Sequence, residues 1–193
     1  MRISRQYEKG VVWSYKGHMR IVVLHQGGDR DGKVVTMDQM IGDILLLSKS
    51  ESGKVELSKE KVNVKEVVAE CIKEFPELKT EIKGEDITID TDRKAFSQVI
   101  MNLLSNCDRY GKKGSVVDIT LAADILTVIN KTDRAYDDAE SLKKPFVKGD
   151  DHRGNKGSGV GLAIADNNLA MLGYKLELSS AAGEFIAKIK FRP

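Results

Sequence analysis

Cysteine, proline and tryptophan are all scarce in this sequence, with two, three and one in 193 residues. Cys71 and Cys107 form neither a CxxC pair nor a metal-ligand spacing, which argues against a disulfide scaffold or a zinc ribbon. They fit a reduced cytoplasmic setting, in which both thiols serve as small apolar residues. The three histidines, His18, His25 and His152, make no H-x-H or H-x-x-x-H pair, so a histidine-rich metal site is not expected. Neither sign of charge prevails: 31 basic against 29 acidic residues leave a formal charge of +2 and no electrostatic footprint for nucleic acid. No apolar run is long enough to cross a bilayer, and no signal-peptide pattern follows Met1. What is present, 41% hydrophobic and 31% charged residues, suits a globular chain with one good core or one domain plus an appendage.

Residues 1–35 show no helical period. GVVWSYKGHMRIVVL reads as two short strands around Lys16-Gly17, and HQGGDRDGK as a loop. From Thr36 the pattern changes: Met37, Met40, Ile41, Ile44, Leu45 and Leu47 predict one face of a helix that ends near Ser52-Gly53. GKVELSKEKVNV alternates like a strand, and KEVVAECIKEF puts Val67, Val68, Cys71, Ile72 and Phe75 on a helical stripe stopped by Pro76. EIKGEDITID reads as strand, tight turn and strand. Asp92 is a fitting N-cap for a helix with Phe96, Val99, Ile100, Leu103, Leu104 and Cys107 inward. SVVDITLAADILTVIN predicts a hairpin with Ala122-Ala123-Asp124 at its tip, and residues 131–156 a long polar loop. A helix over 161–172, with Leu162, Ala165, Leu169 and Leu172 inward, and two strands, YKLELS and EFIAKIKF, close the chain. Hairpins without regular βαβ alternation predict an α+β fold: a two-layer sandwich whose mixed, mostly antiparallel sheet is covered by helices on one face, preceded by a helical stub.

Two features carry candidate chemistry. On the 93–110 helix, Gln98, Asn102 and Asn106 follow each other at steps of four, with Arg109 and Tyr110 next. Side chains four apart share a face. Asparagine is a poor helix former, so its place there is not explained by propensity. Amide oxygens suit Mg²⁺, which shares its shell with phosphates and waters; a solvated polar stripe would read the same way. The second feature is GNKGSGVGLAIA (154–165), a glycine cluster feeding a helix N-terminus, which is one way to offer bare N–H groups to phosphate. It differs from a dinucleotide-binding turn, because it follows a polar loop and not a strand.

QVIMNLLSNCDRYG resembles the N box of sensor histidine kinases, and GSGVGLAIA resembles their G2 box; PFVKGDDHRG precedes the glycines at a similar spacing. DQMIGDILLLSKSESGKVEL is similar to the family's junction between the dimerisation hairpin and the ATP-binding domain. The resemblance is collinear over roughly residues 36–193. It implies a Bergerat, or GHKL-type, ATP-binding domain over 53–193, a remnant of the second hairpin helix over 36–52, and an unassigned segment over 1–35. It implies Asn106 as the Mg²⁺ ligand, Asn102 in support, Arg109 near the phosphates and Tyr110 near the nucleotide. The backbone at Gly157, Gly159, Val160, Gly161 and Leu162 would wrap the ATP triphosphate, and Lys148 and Arg153 would reach the γ-phosphate. The implied activity is Mg-ATP-dependent phosphoryl transfer to a histidine in two-component signalling. Implied partners are a phosphoacceptor helix hairpin and a response regulator, with no nucleic acid. The chain would be cytoplasmic, or the cytoplasmic part of a membrane-anchored sensor, and a monomer if the hairpin is absent.

The sequence departs from that family at several positions. Asn130 stands where the family's aspartate accepts from adenine, and Thr132 where its glycine follows. Lys143 takes the place of the lid's first phenylalanine, while Phe146 matches the second; the last glycine box is reduced to Gly183. Neither His18 nor His25 lies on a helical pattern suited to a phosphoacceptor. Two other readings keep the fold: a stand-alone GHKL serine kinase of the anti-sigma type, and an interaction module whose nucleotide site has decayed.

Overall fold

The computed structural model describes residues 57–134, 136–147 and 159–192. The N-terminal expectations (1–35 and 36–52, with His18 and His25) lie outside these residues, as do His152, Lys148, Arg153 and Gly157. Among the described residues the order is β1 (Lys59–Asn63), α1 (Val64–Ile72), β2 (Lys79–Gly84), β3 (Thr88–Asp92), α2 (Arg93–Tyr110), β4 (Val116–Ala122), β5 (Ile125–Lys131), a 3₁₀ turn (Ala139–Lys143), α3 (Gly161–Leu172), β6 (Lys175–Ala181) and β7 (Glu184–Lys190).

Five strands form one sheet in the order β2-β4-β5-β7-β6. The β2/β4 pair is parallel; β4/β5, β5/β7 and β6/β7 are antiparallel. This is the predicted mixed, mostly antiparallel sheet. Alternation sends Val117, Ile119 and Leu121 of β4, Leu126 and Val128 of β5, and Ala187 and Ile189 of β7 into the core, while their sequence neighbours stay at least partly exposed. Against that face pack Val67, Val68 and Cys71 of α1, the full predicted stripe of α2, and Ala165, Leu169 and Leu172 of α3. Leu162 is partly buried and touches the same core.

Local chemistry sets the ends of these elements. Asn63 caps α1 by accepting from the Glu66 N–H at 3.2 Å, and Asp92 caps α2 by accepting from the Ala95 N–H at 2.8 Å. The second oxygen of Asp92 accepts from the Ser58 N–H at 2.9 Å, tying the start of α2 to the strand entering the domain. The β4/β5 hairpin turns on Ala123 and Asp124, with φ of 49° and 64°, the left-handed pair that a two-residue hairpin requires.

The strand, turn and strand of EIKGEDITID are present, but the two strands do not pair with each other: β2 joins the large sheet beside β4, whereas β3 pairs antiparallel with β1 in a separate two-stranded sheet. The departure point is Gly84, at φ 100°, where an added Cβ would lie 1.9 Å from the Leu121 carbonyl oxygen. Only glycine lets the chain leave the sheet there. Residues 131–156 are also not loop throughout, since Asp138 caps the 3₁₀ turn through the Ser141 N–H at 3.2 Å.

Candidate functional site

The buried stripe of α2 accounts for one side of the helix, and the amide stripe lies beside it. Asn102 and Asn106 are half-buried, whereas Gln98 and Arg109 are exposed. The Gln98 Nε2 donates to Asn102 Oδ1 at 3.4 Å, so the first two members of the stripe touch, as side chains four apart should. The Asn102 Nδ2 is buried and has no hydrogen-bond partner among the described residues. A buried N–H left unpaired costs about 1–3 kcal/mol, so such a group marks a place where a ligand or water is owed.

Asn102 stands against the start of α3: a Cβ on Gly161 would lie 3.9 Å from Asn102 Oδ1. The α3 N-cap position is Val160, buried and without a side-chain capping bond. The first turn of α3 therefore begins without the side-chain cap that α1 and α2 both have, at the positive end of the helix dipole. Gly159, at φ 73°, delivers the chain to this point, and its carbonyl accepts from the Phe146 N–H at 2.9 Å. The predicted triphosphate segment Gly159-Val160-Gly161-Leu162 and the amide stripe are thus brought together.

Below the stripe, α2 and the sheet leave a small recess with room for about one water molecule. Leu103, Asn106 and Cys107 line it from the helix, at the i, i+3, i+4 spacing of one face. Val128 and Asn130 of β5 and Phe185 and Ala187 of β7 line it from the sheet; Val128 faces Ala187 and Asn130 faces Phe185 in register. Asn130 occupies a core-facing position where the alternation of β5 calls for an apolar residue, and it is 4% exposed. Its Oδ1 accepts from the Cys107 thiol at 3.7 Å, and its Nδ2 donates to the Lys131 carbonyl at 3.4 Å. Burial pushes the Cys107 thiol up to about 12, so it stays neutral.

Tyr110 ends α2 with the Arg134 guanidinium 4.9 Å above its ring, and its carbonyl accepts from the Thr132 hydroxyl at 3.2 Å. Thr132 is buried and its N–H donates to the Gly183 carbonyl at 2.8 Å. Gly183 sits at the tip of the β6/β7 hairpin, which accounts for its place in the sequence as a turn residue beside the base of the recess. Lys143 does not imitate an aromatic ring. Its side chain is 15% exposed, and its ammonium contacts Glu140 Oε2 at 2.6 Å, Asp166 Oδ1 at 3.7 Å and the Leu176 carbonyl. The other Glu140 oxygen accepts from the Leu178 N–H at 2.5 Å, so the segment leading to the glycines is pinned to edge strand β6.

Sequence reasoning placed Cys107 and Leu103 in the core and missed that they also wall the recess; the signal was the polar Asn130 closing an otherwise apolar alternation. Among the described residues no group of three His, Cys, Asp or Glu side chains is placed to hold a metal ion, and no helix is long and apolar enough to cross a membrane.

The profile of the histidine kinase-, DNA gyrase B- and HSP90-like ATPases matches residues 91–192, which contain α2, the recess and α3. The chain is 28% identical over 190 residues to the non-motile and phage-resistance protein of Caulobacter vibrioides, covering 88% of this chain and 21% of that protein. It is 27% identical over 180 residues to an uncharacterized sensor-like histidine kinase of Rhizobium meliloti, covering 85% and 33%. It thus spans about a fifth to a third of the length of these curated relatives. Among solved structures, the Acinetobacter baumannii histidine kinase AdeS superposes with a TM-score of 0.69 at 24% identity, over 83% of this chain and 80% of that one. The chain belongs to the histidine kinase-, DNA gyrase B- and HSP90-like ATPases, and its domain is the ATP-binding catalytic domain of the kind found in sensor histidine kinases.

Proposed function

We propose that this domain holds Mg-ATP and donates its γ-phosphoryl to a histidine on a dimerisation hairpin, in a two-component pathway that ends at a response regulator. The observation that carries the proposal is the meeting of the α2 amide stripe with the glycine-led start of α3, which has no side-chain cap. A helix N-terminus beside amide oxygens suits a polyphosphate with its metal ion. Phosphoryl transfer asks the protein mainly for positioning and charge neutralisation.

In this reading the base enters between Leu103, Val128 and Phe185, with Asn130 at its edge. The Asn106 oxygen is the protein ligand to Mg²⁺, which would supply charge neutralisation at the phosphates, with phosphate and water filling the rest of its shell, as Mg²⁺ prefers. Asn102, beside Gly161, supports the phosphate end, and the α3 N-terminus faces it. Arg109, Lys148 and Arg153 are proposed as the cations of the triphosphate, and Tyr110 as a wall of the nucleotide site. Residues 53–193 form the catalytic unit and 36–52 the remnant of a hairpin helix, in a cytoplasmic setting.

Calorimetric titration with a non-hydrolysable ATP analogue, with and without Mg²⁺, tests the binding half. Incubation with γ-labelled ATP and a separate phosphoacceptor hairpin tests the transfer half. Magnesium-dependent binding with acid-labile label on the hairpin supports the reading. Acid-labile label on the chain itself would direct attention to His18 or His25. Absence of nucleotide binding would sink the proposal and favour the decayed interaction module, for which the neutral Asn130 already speaks.

A further inference from the structure

Among the described residues β6 is the last strand of the large sheet and pairs with β7 alone, so its outer side has backbone groups with no strand to meet. Two of these groups flank Glu177 and are taken by the 3₁₀ turn. The Lys143 ammonium donates to the Leu176 carbonyl, and Glu140 Oε1 accepts from the Leu178 N–H at 2.5 Å. A donor to one side of a residue and an acceptor to the other is what one residue of a parallel neighbouring strand supplies. The two side chains are themselves joined, Lys143 Nζ to Glu140 Oε2 at 2.6 Å, and the same ammonium lies 3.7 Å from Asp166 Oδ1 on α3. At 15% exposure the Lys143 side chain needs these oxygens, and without it Glu140 and Asp166 lose the cation they share. The rest of the turn leads from this latch to the start of α3. The Lys144 N–H donates to the Ser141 carbonyl at 3.0 Å, the Val147 N–H to the Lys144 carbonyl at 3.3 Å, and the Phe146 N–H to the Gly159 carbonyl at 2.9 Å. Phe146 makes that last bond at φ 66°, a conformation that a bulky residue keeps only where its surroundings hold it.

We infer that Lys143 and Glu140 are positioning residues for phosphate binding: standing in for a sixth strand on β6 and gripping Asp166, they hold the 139–147 turn so that Phe146 fixes Gly159 and the entry to α3. The inference rests on the proposed phosphate site at the α2/α3 junction and names what presets it. Both residues act through the turn and not on the ligand. Affinity is gained because the glycine-led entry does not have to be ordered when the phosphates arrive.

Affinities for Mg-ATP and adenosine, measured on the whole chain and on Lys143→Met, Lys143→Arg and Glu140→Ala, test this, together with hydrogen exchange of the Phe146 amide, which needs no nucleotide. In Lys143→Met and Glu140→Ala, Mg-ATP affinity should fall about tenfold and adenosine affinity change less than about twofold, with faster exchange at Phe146. Lys143→Arg should recover most of the loss. Glu140→Ala separates positioning from charge, because removing a negative side chain by itself favours an anion. Tighter Mg-ATP binding in that variant therefore overturns the inference. Unchanged Mg-ATP affinity or unchanged Phe146 exchange in both variants overturns it and leaves the phosphate site standing; an equal loss of Mg-ATP and adenosine overturns it as well, since it marks a general loss of structure. No Mg-ATP binding by the natural chain overturns the site and the inference together. Glu140 is half exposed, so its variant decides the matter if Lys143→Met fails to fold. Should adenosine bind too weakly to measure, the sign of the change at Glu140→Ala and the exchange at Phe146 decide it.

Discussion

Asn102 and Asn106 lie one helical turn apart, and their roles separate by environment. Asn102 leans on Gln98 and on the start of α3 with a buried N–H unsatisfied among the described residues, whereas Asn106 lines the recess itself. If Asn106 holds the cation, Asn106→Ala lowers Mg²⁺-dependent ATP affinity by more than about tenfold, since even residues one shell further from a metal are commonly worth that much. Its thermal midpoint should move little, because the side chain carries no core packing. Calorimetry with and without Mg²⁺ checks the first statement and a melting curve the second. Asp92 is the opposite case, a residue of stability alone. The Ala95 N–H, against some desolvation, and the Ser58 N–H hold its carboxyl below the usual carboxylate range. Its folded pKa is depressed, so its contribution is present above the unfolded value near 4 and fades as pH falls through the folded value. Asp92→Ala should therefore cost about 1 kcal/mol at pH 7 in denaturant unfolding, and progressively less as pH falls below about 4.

At the scale of elements, helices were legible because their period is local. The α2 stripe, its Asp92 cap and the 161–172 helix all follow from apolar spacing and termini within one segment. Strand existence was legible as well, down to the Ala123-Asp124 tip. Strand partnership was not, because pairing is non-local: nothing within EIKGEDITID states that β2 lies beside β4 and β3 beside β1. The 3₁₀ latch was hidden for a related reason, since Lys143 and Glu140 find their partners on Asp166, Leu176 and Leu178, far along the chain. Burial opposes ionisation of Glu140, but the Leu178 N–H and the Lys143 ammonium outweigh it and leave its carboxyl below its ordinary range. Glu140→Gln is expected to keep the fold and speed hydrogen exchange of the Leu178 amide, with a stability loss of about 1 kcal/mol or less because the carboxylate is half exposed. At the other end of the segment, Gly159→Ala forces a side chain into φ 73°, a strain of about 1–2 kcal/mol at the entry to α3. ATP affinity should fall in that variant while adenosine affinity holds, which titration of both ligands will show.

For the molecule as a whole, the candidate site is a property of how two layers meet. One helix carries the amides on one side and core residues on the other; the sheet carries Asn130 and Phe185 at one end of an otherwise apolar face; and α3 brings an uncapped N-terminus to the same place. The motif residues could be picked out in the sequence because amides on a helix and glycines before one are unusual locally. The walls of the recess could not, because Leu103, Val128 and Ala187 look like any core residue until the layers are stacked. A site built between layers couples binding to global stability: a ligand held by α2, α3, β5 and β7 at once is lost when any of them detaches. Mg-ATP at about 100 times its dissociation constant should then stabilise the fold by about 2.7 kcal/mol, which for a chain of this size raises the melting temperature by roughly 5–10 °C. Adenosine at the same multiple of its own constant should give an equal shift, since linkage depends on occupancy and not on which contacts are made. Compared at equal concentrations, Mg-ATP should give the larger shift; equal shifts there would mean that the α2/α3 junction adds no phosphate binding, and the assignment of Asn106 and Gly159–Leu162 would fall.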